Sequence, residues 1–226
     1  MIPTLLFFLI RRLRIKHPRT AEKLIAFIRK SSKIVALIIL FLTLGNFLNA
    51  QDSRMQYVIK RNGSEIGNMS LVRKNYGEKT LYTLQTEIRT RFIFLVTASA
   101  LEEAEFDKGI LVSSRLYRKM NGSEKVNKRM TLSGANYVVN KGKKSEVLGN
   151  DPIRFTMLNL YDREPVNVSQ VYSDNFQQLL KIILVAPHHY KIKFPDGNYS
   201  EYYYRGGICT KIMVHHTLYT ASFELK

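Results

Sequence analysis

From Leu81 to Phe94 the chain alternates. Tyr82, Leu84, Ile88, Phe92 and Phe94 fall on one face, and Thr83, Gln85, Glu87, Arg89 and Arg91 on the other. Successive strand side chains point to opposite sides, so the pattern predicts a strand with one buried face. The same period of two recurs at Met55, Tyr57 and Ile59, and at Val126, Met130 and Leu132. It returns at Ile208, Ile212 and Val214, and at Tyr219, Ala221, Phe223 and Leu225.

Turn chemistry separates these runs. Asn62-Gly63, Tyr76-Gly77, Lys108-Gly109, Asn121-Gly122, Lys141-Gly142, Asp196-Gly197 and Gly206-Gly207 each fall between strand-like segments. Asn-Gly favours the type I′ turn, whose two central residues need positive φ and whose twist matches a hairpin. The repeated tetrapeptide Asn-Gly-Ser-Glu, at 62–65 and 121–124, is therefore expected at two hairpin tips. Asn62, Asn68, Asn121, Asn167 and Asn198 head Asn-X-Ser triplets, which keeps glycosylation as an alternative reading of these sites.

One stretch has helical signals. Asp151-Pro152 offers an N-cap and a first-turn proline, Ile153, Met157 and Leu160 follow at helical spacing, and Pro165 comes after the end. The expectation is a short helix over 152–161. Asp174 to Leu184 fits either a helix or a buried strand.

The N-terminal 50 residues have another character. Arg29, Lys30 and Lys33 precede an apolar run from Ile34 to Leu44, and Ala50 follows. That is the layout of a secretory signal peptide, and the run is short for a bilayer span of about 20 residues. The expectation is a signal peptide or N-terminal membrane segment at 1–50 and a single antiparallel β domain at 51–226. Export points to the periplasm; the alternative is an inner-membrane anchor through residues 34–48. Residues 51–226 carry 26 Lys/Arg and 17 Asp/Glu, a net charge of +9. A moderately basic exported surface suits anionic envelope components or lipid headgroups and argues against nucleic acid. The chain has one cysteine, Cys209, so it cannot form an internal disulfide. A lone cysteine inside an alternating strand is expected to be a small buried hydrophobe.

Four stretches occur together in order: "YVIKRNGSEIGNM" (57–69), "LNLYDREPVNV" (158–168), "YKIKFPDGNYSEYYY" (190–204) and "GGICTKIMVHHTLYTASFEL" (206–225). As a set they resemble a family of uncharacterised exported proteins of Gram-negative bacteria, known as a domain of unknown function. The resemblance implies a mainly β fold: a large twisted antiparallel sheet curling into a half-open barrel, with one or two short helices. It implies no activity and no catalytic residues.

Little in the sequence announces chemistry. In His188-His189 and His215-His216, neighbouring residues on a strand face opposite ways, so each pair offers one ligand to any one site. A site from His188 and His216 lacks a third ligand, and no metal or cofactor is expected. Glu102, Glu103 and Glu105, with Asp162 and Glu164, are the carboxylates a polysaccharide hydrolase would draw on. No spacing fixes two of them at a working distance, so enzyme activity is not the favoured expectation. Tyr199, Tyr202, Tyr203 and Tyr204 put aromatics on both faces of one strand, and Phe92 to Ala100 is apolar on both faces. Such strands are either covered on both sides or line a cavity. The functional expectation is a binder or carrier of a lipid-like apolar ligand, held by Phe92, Phe94, Met157, Leu160, Tyr202 and Tyr204. The membrane would be met only through the N-terminal segment. The alternative is a structural or interaction protein of the envelope.

Overall fold

A computed structural model describes residues 52–91, 95–142, 144–149 and 151–226. The expectations for residues 1–50 lie outside them. Residues 51–226 form one compact unit.

Fourteen strands follow one another: β1 (Ser53–Arg61), β2 (Ser64–Tyr76), β3 (Lys79–Arg91), β4 (Leu95–Asp107), β5 (Ile110–Met120), β6 (Ser123–Ser133) and β7 (Asn136–Lys141), then β8 (Lys144–Val147), β9 (Gln170–Ser173), β10 (Gln178–Ala186), β11 (His189–Lys193), β12 (Tyr199–Arg205), β13 (Ile208–His216) and β14 (Tyr219–Leu225). They make one sheet in the order β8-β7-β6-β5-β4-β3-β2-β1-β14-β13-β12-β11-β10-β9. Every strand pair in it is antiparallel. The first strand pairs with the last, Tyr57 opposite Leu225, so the chain folds outward in two meanders from a central seam. β8 and β9 are the two edges, and the sheet does not close by backbone pairing.

The alternation read from the sequence becomes the inner face. Met55, Tyr57, Ile59, Met69, Leu71, Tyr82 and Leu84 are buried in one core with residues of β4 to β7. A second core gathers Leu180, Ile182, Tyr190, Ile192, Tyr202, Tyr204, Cys209 and Ile212 under β10 to β13. Both Asn-Gly tips have the predicted backbone: φ is 49° at Asn62 and Asn121 and 78° at Gly63 and Gly122. Gly67 is needed for a different reason. A Cβ placed there would lie 2.1 Å from the Glu87 carbonyl oxygen. The close approach marks where β2 parts from β3, since Gly67 opposite Ile88 is their last pair.

The helix expected at 152–161 is much shorter. The only helical turn among the described residues, α1, spans Asn159–Asp162. The backbone before it is spoken for: Leu111 N–H donates to Ile153 O at 2.8 Å, Tyr172 N–H to Phe155 O at 2.8 Å, and Met157 N–H to Tyr172 O at 3.1 Å. Residues 153–157 are thus a strap between β5 and β9. Their apolar spacing serves two cores instead of one helix face: Ile153 and Leu158 enter the first, Phe155 and Leu160 the second. The ambiguous 174–184 stretch resolves into a turn, with Gln177 at φ 56°, followed by β10.

The strap and the loop after α1 cover one end of the sheet. Glu164 N–H donates to Gly207 O at 2.9 Å there. The two Asn-Gly tips and the β11–β12 and β13–β14 turns stand at the other end, which is open.

Candidate functional site

The edge β9–β10 turn folds across the concave face and docks on β5 and β6. Ser114 Oγ donates to Asp174 Oδ1 at 2.5 Å. Arg118 Nη1 donates to Asn175 Oδ1 at 3.2 Å, and Lys128 Nζ to Asn175 O at 2.8 Å. Tyr172 OH approaches Met130 Sδ at 3.3 Å. These side-chain contacts complete, on the inside, the circuit that backbone pairing leaves open.

Between this turn and the β2–β4 wall lies a cavity of about 460 Å³. Met69, Leu84, Ile88, Met157, Phe176 and Phe223 give it apolar walls, and Ala98 and Ala100 leave room on β4. Phe176 stacks on Phe194, ring centroids 5.5 Å apart. An ion pair lies along its β4–β5 wall: Arg118 Nη2 meets Glu102 Oε1 at 2.9 Å. Lys119, Met120 and Lys125 line it from one side of the open end, and His216 and Tyr219 from the other. Concave, mostly apolar sites with a few placed polar groups are the usual form of small-molecule sites. A second opening, about 690 Å³, lies among residues 151–155 and 163–170 at the covered end. Asp151, Arg154, Arg163, Glu164, Asn167 and Gln170 stand in its walls beside Tyr82, Phe106, Phe155 and Val168.

Burial pushes Asp174 up to about 6 from an ordinary 3.8, against the lowering effect of its Ser114 hydrogen bond. A carboxyl raised in the fold favours the folded state when protonated. Its contribution is complete below the unfolded value and is lost as pH rises through the folded one. Between about pH 4 and about pH 6, wild-type protein therefore loses stability relative to Asp174→Asn, which keeps the Ser114 bond. Urea midpoints across that window measure the difference.

The structure separates the expected site residues. Met157 lines the cavity. Leu160, Tyr202 and Tyr204 are buried in the second core, where Tyr204 OH donates to Leu160 O at 2.7 Å. Phe92 and Phe94 lie outside the described residues. Arg118, Asp174 and Phe176 are lining residues that sequence reasoning did not name, and Glu102 entered it only as a hydrolase carboxylate. Ala98 and Ala100 on the inward side of β4 were the available signal, because small residues on a core face leave space.

The carboxylates of the hydrolase alternative are spread out. Glu103 and Glu105 point outward, paired with Arg115 at 3.8 Å and Lys79 at 3.1 Å. Asp162 is buried on the inner side, 2.7 Å from Arg73 and within 3.4 Å of Tyr82 OH. Its pKa is raised by burial, with Arg73 pulling the other way. Glu164 holds His188 at 3.1 Å and accepts from Tyr190 OH at 2.9 Å.

His188 and His216 sit at opposite ends of the sheet. His189 and His215 instead share the outer face with Glu201, their Nε2 atoms 3.8 and 3.7 Å from Oε2. His189 stacks on Tyr203 and His215 on Tyr199. Lys191 pairs with Glu201 at 2.9 Å. Among the described residues no group of three His, Cys, Asp or Glu is arranged to hold a metal ion. Cys209 is buried, and burial pushes its thiol up to about 12, so it is not a thiolate nucleophile at neutral pH.

A family model described as a domain of unknown function, DUF6134, matches residues 57–226. Among solved structures, a β-barrel-like protein of a domain of unknown function, DUF1849, from Brucella abortus is similar. It shares 12% identity at a TM-score of 0.53, covering 77% of this chain and 95% of that one. That likeness extends to the fold alone. A search of curated proteins found no match.

Proposed function

We propose a function for the β domain on this premise: the chain belongs to the DUF6134 family, a domain whose function is unknown. The domain is an exported binder or carrier of an elongated, lipid-like molecule with an anionic head. The observation that supports this most is the cavity of about 460 Å³ at the open end, apolar within and flanked by Lys119 and Lys125. Its size falls inside the usual range for small-molecule sites, roughly 300–1,000 Å³. The opening at the covered end has Asp151, Arg154, Arg163 and Glu164 among its lining residues, and the cavity at the open end is where an acyl chain meets Met69, Leu84, Ile88 and Phe223. The rim lysines supply positive charge for a head group, and Arg118, held by Glu102, stands beside them.

The test is to purify the full-length protein from its native host, extract it with organic solvent and identify what is released by mass spectrometry. The reading expects about one acyl-chain molecule per protein. Extracts without one, together with no uptake of a fluorescent fatty acid by the emptied protein, would leave a structural envelope role.

A further inference from the structure

We propose that the open end of the barrel docks on the surface of an anionic bilayer. This goes beyond the carrier reading and departs from contact through the N-terminal segment alone. It rests on the carrier reading only for its purpose, which is loading and unloading the cavity.

Three hairpins carry the surface. β3 and β4 continue to pair out to Arg91 opposite Leu95, three residues past the last β2–β3 pair at Ile88. β2 likewise runs on with β1 past Gly67 to Ser64 opposite Arg61, so these two hairpins part and end as separate tips at this end. The described end of the β3–β4 hairpin exposes Leu95 beside Arg89 and Arg91. The β5–β6 tip exposes Met120 between Lys119 and Lys125. The β13–β14 tip exposes Leu218, at 79% the most exposed large apolar residue described, and Tyr219. Met120 and Tyr219 both line the cavity, so these hairpins frame its mouth.

Charge selects the occupant. Among the described residues, Arg89, Arg91, Lys119 and Lys125 take part in no ion pair, although Lys119 also lies 5.6 Å from the Tyr117 ring. Glu65, Glu87, Glu124, Glu146 and Asp196 stand at the same end, Glu146 paired with Lys141 at 2.8 Å, and Arg61, Lys128 and Lys144 keep it positive. Exposed apolar tips, two of them beside cations that take part in no ion pair, suit a surface that is apolar just below a layer of negative charge. An anionic bilayer is such a surface, and tyrosine is at home at its boundary. Each basic side chain near anionic lipid strengthens partitioning about fivefold.

The chain has no tryptophan, so single substitutions report position without background. M120W and L218W, each in the full-length protein, are mixed with vesicles of phosphatidylcholine and phosphatidylglycerol carrying brominated acyl chains. L184W, which replaces an exposed leucine at the covered end, is the control. The expected result is at least about twofold quenching of M120W and L218W, none of L184W, and none on pure phosphatidylcholine. Adding Lys119→Glu and Lys125→Glu to either reporter should weaken the partitioning at least about 25-fold. An N-terminal anchor alone would leave both rim indoles unquenched. That result, or quenching of L184W equal to theirs, overturns the proposal. Charge-dependent binding without indole quenching would assign the rim to a soluble polyanion and also overturn it. Rim quenching in protein that takes up no fatty acid would keep docking and remove carriage.

Discussion

Replacing Tyr57 with alanine is expected to lower the stability of the β domain by about 3–5 kcal/mol. Tyr57 is fully buried at the seam where β1 meets β14. Its hydroxyl donates to Cys209 O at 2.7 Å, 152 residues along the chain. Its ring meets Tyr161 edge-on, with centroids 5.8 Å apart. One side chain therefore ties the first strand to β13 and to α1. Tyr57→Ala removes the ring and leaves a buried carbonyl without its donor. Tyr57→Phe removes only the donor and is expected to cost about 1–3 kcal/mol. A domain of this size is typically stable by about 5–15 kcal/mol, so the alanine variant stands close to unfolding. The comparison is Asn62→Gly at an exposed tip, where positive φ already suits glycine; its change should stay within about 0.5 kcal/mol. Urea unfolding of the three variants beside wild type measures all of this. A loss in Tyr57→Ala no larger than in Asn62→Gly would contradict the seam as the centre of the fold.

The strands were legible because their signal is local and repeated. A period of two around Tyr57, Leu84 or Ile212, closed by Asn-Gly or Asp-Gly, leaves few alternatives to an antiparallel meander. The segment 151–162 was not legible in the same way. Asp151-Pro152 and the spacing of Ile153, Met157 and Leu160 satisfy a helix locally. What overrides them is tertiary: the backbone of 153–157 meets donors and acceptors on β5 and β9, and its apolar residues divide between two cores. Sequence spacing carries no trace of those partners.

The candidate site divides along the same line. Tyr202 and Tyr204 share a face by alternation, and that face is filled core under β10 to β13. Alternation gives the side of a strand and not whether that side is packed. Met157 reaches the cavity because the strap ends beside it. Asp174 and Phe176 arrive from an edge turn that folds back over the concave face, a long-range event that nothing near residue 174 encodes. The meeting of His189 and His215 with Glu201 depends on strand register, which alternation does not give.

Filling the cavity from its wall is expected to have the largest effect on binding. Ala100 sits on β4 opposite Thr86 and Arg118 and lines the cavity. An indole grown from this position points into the space assigned to the ligand and away from the hairpin tips. Binding of an acyl chain should weaken at least about tenfold, or roughly 1.4 kcal/mol. The fold should survive, because the added side chain enters vacant volume and displaces no packed neighbour. Arg118→Ala should weaken an anionic fatty acid more than its uncharged alcohol, since it removes a cation beside the cavity and leaves the apolar walls in place.

The most direct measurement is a fluorescence titration of the full-length protein with a fluorescent fatty acid, wild type beside Ala100→Trp, with urea midpoints recorded on the same samples. The carrier account predicts saturable binding near one equivalent in wild type, and loss of at least about tenfold in affinity in Ala100→Trp with the midpoint held. Equal uptake by both proteins, or uptake by neither, would contradict it.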